Sequence, residues 1–290
     1  MALKDLLVHL DATEQAERRL RFAAGLALQH GAHLTGLYVI GPVLPPALPI
    51  EAIGYLGAAE TDSLMERWRE SQATEARRAE QTFRDQVERD GVAGEFRVAE
   101  GPSAATVASY ARNVDLAIVG QADPDSPGRL TSLETTSLET IEQALFLSGR
   151  PVLIVPYAGH FEAVGNTVLV GWNATREAAR AVNDALPLIG PAGSVTVLTV
   201  NPPDFKADTS AVPAADIASH LARHGLKVSL ASTAGGEVSI GDVLLNHASD
   251  IGADLLVVGG YGHSRFREIV LGGATRTLLQ SMTVPVLMSH

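Results

Sequence analysis

A series of short apolar segments occurs twice along the chain, in the same order both times. The matched pairs are residues 6–13 with 168–175, 115–120 with 254–259, and 151–155 with 285–289. The offset between partners falls from 162 to 139 residues between the first two pairs, so the first copy carries an insertion of about 23 residues. A chain of 290 residues with such a repeat is expected to contain two copies of one domain.

Amphipathic patterns lie between the matched segments. Apolar residues recur at three- or four-residue spacing over residues 16–27 and 178–189, and a glycine follows each run at Gly31 and Gly190. The matched segments are rich in Val, Leu and Ile, as strands buried on both faces require. Such strands, alternating with helices, predict that each copy is a doubly wound α/β domain with a five-stranded parallel sheet.

The two predicted domains occupy residues 1–157 and 166–290, and a linker of mixed polarity joins them. The insertion lies in the first domain, from residue 41 to about residue 91. Its charged second part predicts a long helix over residues 61–90 with one solvated face.

Charge and composition exclude several classes of function. The formal net charge of −11 argues against binding to nucleic acids or anionic membranes, because both need clustered Lys and Arg. The absence of cysteine excludes disulfides and Cys-ligated metals. No run of about 18 apolar residues is present, and Asp5 and Asp11 interrupt the region where a signal peptide would have its apolar core. We therefore expect a soluble, cytoplasmic protein.

A ligand site is expected where the winding of a parallel sheet reverses, between the carboxyl ends of the first and fourth strands. In the second domain these ends are residues 171–173 and 259–262, which are rich in glycine. Glycines let the backbone approach a phosphate, and Gly272 and Gly273 precede a predicted helix whose free N–H groups can meet an anion. The alternative interpretation of these glycines is tight turning and close packing.

Several side chains near these glycines could contact a phosphate. Ser264 and Thr275 offer hydroxyls, Arg265 offers a charged fork, and His263 either contacts a phosphate or packs within the loop. Trp172 lies beside the same site, where it either lines the pocket or fills it.

The glycine spacing resembles a known signature. Gly259, two residues, Gly262, nine residues and Gly272 are similar to the nucleotide-binding motif of the universal stress protein family, and the doubled length resembles its tandem subgroup. The resemblance covers essentially the whole chain. It implies the adenine nucleotide α-hydrolase-like fold with strand order 3-2-1-4-5, and an ATP site, with or without Mg²⁺, in the second domain.

The resemblance also implies roles for single residues, with two departures. Asn173 stands where the family has an aspartate that holds the adenosine, and Gly273 stands where a Ser or Thr usually follows the last glycine. Thr275 is a candidate substitute for that hydroxyl, and Val200 lies where the family places its adenine contact. The full set of expected nucleotide-binding residues is Gly171, Asn173, Val200, Gly259, Gly262, His263, Ser264, Arg265, Gly272, Gly273, Ala274 and Thr275.

The first domain keeps the family aspartate as Asp11 but has a different loop after Gly120. Residues 121–128 contain two prolines, which lack N–H donors, and two aspartates, which would repel phosphate. We therefore expect no ATP there in the family manner. The first domain is then either a structural partner or the site of another ligand.

No catalytic residues and no metal site are predicted. The pairs His30/His33 and His220/His224 have spacings found in zinc sites but no third ligand, so surface roles are expected for them. The sequence therefore favours a non-enzymatic stress-response protein that binds ATP or another adenine nucleotide and acts through conformation or partner binding, with any hydrolysis slow. The alternatives are a nucleotide-free scaffold, a binder of another small ligand, and, least favoured, a flavin carrier or enzyme with a related sheet.

The resemblance finally implies association through the last strand of each domain. Members of the family commonly dimerise in this way, so the two halves of one chain could pair as an intramolecular pseudo-dimer. A homodimer of whole chains is a further expectation.

Overall fold

The computed structural model describes residues 2–11, 13–41, 58–121, 133–191, 193–200, 214–234, 236, 238–260 and 273–290. The strands are β1 (Asp5–Leu10), β2 (His33–Ile40), β3 (Gly94–Glu100), β4 (Leu116–Gly120), β5 (Val152–Val155), β6 (Thr167–Gly171), β7 (Ser194–Val200), β8 (Lys227–Thr233), β9 (Leu255–Gly259) and β10 (Val286–Ser289). The α-helices are α1 (Glu14–His30), α2 (Ala58–Asp90), α3 (Ser103–Ala111), α4 (Leu133–Ser148), α5 (Arg176–Ala185), α6 (Ala214–Arg223), α7 (Ile240–Asp250) and α8 (Gly273–Ser281).

All ten strands belong to one sheet, in the order β3-β2-β1-β4-β5-β10-β9-β6-β7-β8. Within each half the strands are parallel, and the order 3-2-1-4-5 confirms the predicted pair of doubly wound domains. The halves join through antiparallel pairing of β5 with β10, which places Ile154 opposite Val286 and Val152 opposite Met288. Neither strand is left with the unpaired edge that otherwise promotes association with another chain.

Two helical layers cover the sheet, one on each face. Strand residues alternate between the layers, so that Leu6 and Val8 face one core and Leu7 faces the other. The first core is completed by residues of α1, α2, α5 and α6, and the second by residues of α3, α4, α7 and α8. Each core contains residues from both halves, so hydrophobic burial links the repeats as well as strand pairing does.

The ends of the first helix in each half follow from local sequence. Gly31 ends α1 in the left-handed conformation, with φ of 58°, as many helix-ending glycines do. In the second half, the Ala178 N–H donates to Thr175 Oγ1 over 3.3 Å and caps the start of α5. The apolar pattern predicted this helix as far as residue 189, which is wrong, because α5 ends at Ala185. Pro187 lacks an N–H donor, and a short 3₁₀ turn replaces the helix there.

The inserted helix α2 is 33 residues long and slightly exceeds the predicted range. Its inner side packs on the first domain through Phe83, whose ring occupies the space left by Gly36 and lies 5.6 Å from the ring of Phe96. Its outer side carries charged residues such as Arg84, which pairs with Glu80 over 2.6 Å. The helix is therefore amphipathic, as its sequence predicts. No helix in the described part of the chain is long and apolar enough to cross a bilayer.

Candidate functional site

The winding of each half reverses between its first and fourth strands, and in the second half these are β6 and β9. Gly171 pairs with Val258, so the ends of the two strands bring Gly171 and Gly259 next to each other. Because β5 and β10 are antiparallel, the corresponding points of the two halves lie at opposite edges of the sheet. The predicted residues Gly262, His263, Ser264, Arg265 and Gly272 lie outside the described part of the chain.

Close packing accounts for three of the glycines at this edge. A Cβ on Gly259 would lie 2.5 Å from the Ala178 nitrogen, because the first turn of α5 rests directly on the end of β9. A Cβ on Gly171 would lie 3.1 Å from Leu244, and one on Gly260 would lie 2.5 Å from Leu145. At these three positions the alternative interpretation, tight packing, has a direct structural basis.

Gly273 differs from these glycines because a Cβ there would meet no atom of the described residues within 4 Å. It begins α8, and Ala274 and Thr275 complete the start of the first turn. Gly273 and Ala274 are exposed and Thr275 is half-buried. The N–H groups of a first helical turn have no intrahelical acceptors and carry the positive end of the helix dipole, so this turn can bind an anion.

Asn173 occupies the turn between β6 and α5. Its Oδ1 accepts hydrogen bonds from the Thr175 N–H (3.2 Å) and the Thr175 hydroxyl (2.9 Å), and the intervening Ala174 has a left-handed φ of 60°. The local turn thus uses the carboxamide oxygen, and the amide nitrogen is the part of the side chain that can donate to a ligand.

Two buried polar atoms lie at the carboxyl ends of β6 and β7. The indole Nε1 of Trp172 and the hydroxyl of Thr199 are both buried and have no hydrogen-bond partner among the described residues. Trp172 is only 7% exposed and belongs to the core beneath α5 and α6, so it fills this part of the structure. In the first half the matching strand positions are Leu10 and Tyr38, and the Tyr38 hydroxyl donates to Glu75 over 3.3 Å.

Unpartnered buried polar atoms are rare in folded proteins and call for an explanation such as a ligand. Five occur in the described part of the chain, and those of Trp172, Thr199 and Ser289 lie at carboxyl ends of second-half strands. None lies at a carboxyl end of a first-half strand among the residues described. Val200 ends β7 on the other face, half-buried against the core beneath α7 and α8.

Comparison with known families decides the relationship. The model of the universal stress protein family matches the chain twice, over residues 2–155 and 166–290. The chain belongs to the universal stress protein family. No curated protein matches it.

Solved structures share the universal stress protein fold with this chain. A universal stress protein from Archaeoglobus fulgidus DSM 4304 is 17% identical, with a TM-score of 0.72 over 98% of this chain and 95% of that one. A protein from Pseudomonas aeruginosa UCBPP-PA14, assigned to the same family, is 15% identical, with a TM-score of 0.57 over 99% and 93% of the two chains. A further relative, a universal stress protein solved in complex with cAMP, is 19% identical over 55% of this chain and 100% of its own, with a TM-score of 0.36.

The first universal stress protein domain has a different arrangement at the equivalent point. The Arg19 side chain, which sequence reasoning missed, is 3% exposed and donates from Nε to the His9 carbonyl and from Nη2 to Asp11 Oδ2, each over 2.7 Å. A Cβ on Gly120 would overlap Nη1 of Arg19. The position that matches Arg19 in the second half is Ala181. The sequence does contain one indication of its role: Arg19 is a charged residue among the apolar positions of α1, and the second copy has alanine there.

The charges in this cluster shift two pKa values. Burial alone would raise the pKa of Asp11, but the Arg19 guanidinium, with smaller contributions from His9 and Thr13, lowers it to about 2. Burial lowers the pKa of His9 to about 4, and Arg19 acts in the same direction while Asp11 opposes it. At neutral pH the cluster therefore contains a neutral imidazole and a charged ion pair.

A contact between the halves reaches the helix of the candidate site. Gln121, which follows β4 and is 7% exposed, donates from Nε2 to the carbonyls of Leu279 (2.9 Å) and Gln280 (3.1 Å) at the end of α8. Its Oε1 accepts from the Tyr157 N–H over 3.2 Å. Sequence reasoning did not identify Gln121, because a polar residue after a strand gives no indication of a partner 158 residues away.

Metal ligands do not cluster in the described part of the chain. The rings of His220 and His224 are in contact, with centroids 4.8 Å apart, but no group of three or more His, Cys, Asp or Glu side chains there could hold a metal ion.

Proposed function

We propose that this universal stress protein binds ATP or another adenine nucleotide in its second half. The nucleotide would lie at the carboxyl ends of β6 and β9, with its phosphates at the first turn of α8. Mg²⁺ would accompany the phosphates rather than occupy a separate protein site. The protein would act in the cytoplasm through nucleotide-dependent conformation or partner binding, without fast catalysis, without nucleic acid, and as one chain or a homodimer.

One observation carries this proposal. The buried indole nitrogen of Trp172 and the hydroxyl of Thr199 have no partners among the described residues, and both lie at the edge where the winding reverses. A purine or ribose offers donors and acceptors that could satisfy such atoms, whereas an apolar ligand would leave them unpaired. Asn173 at the same edge supplies a carboxamide donor in place of the family's carboxylate, which weakens the expected ribose contact without removing it.

The exposed start of α8 supports the phosphate end of the site. Gly273 and Ala274 are exposed, and a Cβ on Gly273 would meet no described atom within 4 Å, so a phosphate can approach their N–H groups. Gly273 and Ala274 offer backbone N–H groups and neither a carboxylate nor an imidazole that could activate water, which favours binding over hydrolysis. The overall charge of −11 is consistent with the absence of a nucleic-acid partner.

A nucleotide-free scaffold is the second candidate. It is favoured by the packing of Gly171, Gly259 and Gly260, since protein atoms alone explain why each of these residues lacks a side chain. In that case the glycines serve the close packing of the fold and do not bind phosphate.

Position 273 allows a matched pair of variants that separates the two candidates. A Cβ there meets no atom of the described residues within 4 Å, so we expect Gly273→Ser and Gly273→Ala both to fold. Serine restores the hydroxyl that the family usually has, and a hydrogen bond to a charged phosphate contributes about 1.5 kcal/mol, or roughly tenfold in affinity. We expect calorimetric titration with Mg-ATP to show about tenfold tighter binding for Gly273→Ser than for the alanine variant.

Alanine adds the same Cβ without the hydroxyl and should bind much as the native chain does. If no variant binds Mg-ATP, the scaffold is the better account. If serine and alanine bind equally, the phosphates do not lie at α8, and the proposed placement is wrong.

A further inference from the structure

We propose that the first half is a self-liganded domain, in which the guanidinium of Arg19 permanently occupies the crevice between the ends of β1 and β4. The residues that hold it select a guanidinium-class cation, so this crevice does not take a phosphate group even when Arg19 is removed. The proposal concerns the first half only and does not depend on nucleotide binding in the second.

The contacts of Arg19 are those of a bound ligand. The side chain extends from the second turn of α1 to the carboxyl end of β1, where Nε meets the His9 carbonyl and Nη2 meets the Asp11 carboxylate. At 3% exposed it is almost completely enclosed, whereas arginine side chains on a helix normally reach solvent. Nε and Nη2 form one edge of the planar guanidinium fork, and this edge meets two acceptors, an arrangement that a rounder cation could not match.

Gly120 provides the room for Nη1, the remaining nitrogen of the guanidinium. A Cβ at this position would overlap Nη1 of Arg19, so the end of β4 can carry no side chain while the guanidinium is present. At the matching point of the second half, the neighbour of Gly259 is the backbone of α5 at Ala178, not a side chain. The same glycine in the repeat therefore has a different function in each half.

The acceptors define the class of ligand. An oxygen of the Asp11 carboxylate and the carbonyl oxygen of His9 both carry negative charge or partial charge, which attracts a cation and repels phosphate. The guanidinium of this ion pair is buried while the Asp11 side chain is 37% exposed, and desolvation opposes the attraction of the two charges, so the pair is weak evidence for stability. Its clearest consequence here is specificity, since the crevice is filled by a group that belongs to the chain.

A double-mutant cycle tests the occupancy. Gly120→Ala should lower the thermal midpoint by about 5 °C or more, because its methyl group displaces a buried guanidinium. In the Arg19→Ala background the same substitution should lower the thermal midpoint by less than half as much, because the guanidinium no longer occupies that space. Gly41→Ala is the matched control, because a Cβ there meets no atom within 4 Å among the residues that the structure describes. Equal effects of Gly120→Ala in both backgrounds would overturn the proposal.

Chemical rescue tests the ligand class. Methylguanidinium chloride at about 10 mM should raise the thermal midpoint of Arg19→Ala relative to equimolar sodium chloride, as expected for any ligand that binds only the folded state. It should have no such effect on the native chain or on Arg19→Ala/Asp11→Asn. Equal midpoints for Arg19→Ala in the two salts would contradict a guanidinium site, and so would the appearance of a second bound Mg-ATP in Arg19→Ala.

A measurement on the native chain keeps the test independent of variant folding. The Nε–H of Arg19 should give an NMR signal that exchanges with water at least about tenfold more slowly than the signals of exposed arginines, because the bond to His9 is enclosed. Exchange at the rate of exposed arginines would overturn the proposal. Failure of nucleotide binding in the second half would leave all of these results unchanged.

Discussion

At the residue scale, the two halves differ in residue type at a few matching positions. Arg19 corresponds to Ala181, Asp11 to Asn173, and each aspartate or asparagine accepts from the threonine two residues later. In the first half the carboxylate also binds Arg19, whereas in the second the carboxamide nitrogen is oriented by the same local turn without that cation. Two exchanges of this kind decide whether the backbone frame that both halves share is occupied by a side chain of the chain itself.

His9 provides a pH-dependent prediction at this scale. Its pKa falls from 6.5 to about 4 in the folded protein, chiefly through burial. Because the unfolded chain binds this proton first, the stabilisation is complete above pH 6.5 and is lost as the pH falls towards 4. The free energy of unfolding should decrease, relative to His9→Asn, by at most about 1.4 kcal/mol per pH unit within that window.

Urea unfolding at a series of pH values measures this difference. His160→Asn is the control, since His160 is exposed, and its curve should follow the native one. Parallel curves for the native chain and His9→Asn would show that His9 titrates alike in the folded and unfolded states.

At the scale of elements, sequence periodicity accounted for most of the fold. Short Val- and Leu-rich strands such as Leu255–Gly259 were recognisable because they are buried on both faces, and helix α1 ends at the predicted Gly31. The end of α5 was misplaced because the apolar pattern continues through Pro187 while the backbone hydrogen bonds do not. Periodicity reports which face is buried, and not where a helix stops.

The candidate site was less accessible to sequence reasoning. The glycine spacing predicts a site at the ends of β6 and β9, which stays a prediction, and the neighbours of Gly259 and Gly260 show packing that no spacing can reveal. Arg19 and Thr199 were missed because their importance depends on groups brought close by the fold, namely Gly120 and Asp11 for Arg19 and the end of β6 for Thr199. A pattern in the sequence does not show which residues the fold brings into contact.

Gln121 gives a prediction about α8. Replacing it with leucine removes the donors to two carbonyls at the end of this helix and the acceptor for the Tyr157 N–H. Leaving these buried groups unpaired should lower the free energy of unfolding by about 1–3 kcal/mol. Urea unfolding measures this loss, and Gln81→Leu on the exposed side of α2 should change it by less than about 0.5 kcal/mol. Equal effects of the two substitutions would mean that the contact between the halves contributes nothing to the free energy of unfolding.

At the scale of the whole molecule, the repeat forms one continuous sheet with two shared cores. The antiparallel pairing of β5 with β10 gives the chain the arrangement of a dimer within one polypeptide, with two potential ligand sites at opposite edges. We propose different occupants for these sites: an arginine of the chain itself in the first half, and an adenine nucleotide in the second. We therefore expect each chain to bind one nucleotide.

Native mass spectrometry of the purified protein with excess Mg-ATP tests this claim most directly. We expect a single added nucleotide on each chain, with no second addition as the ATP concentration rises through the saturation of the first. A chain that binds no nucleotide would contradict the proposed function of the second half. A chain that binds two would contradict the closure of the first half by Arg19.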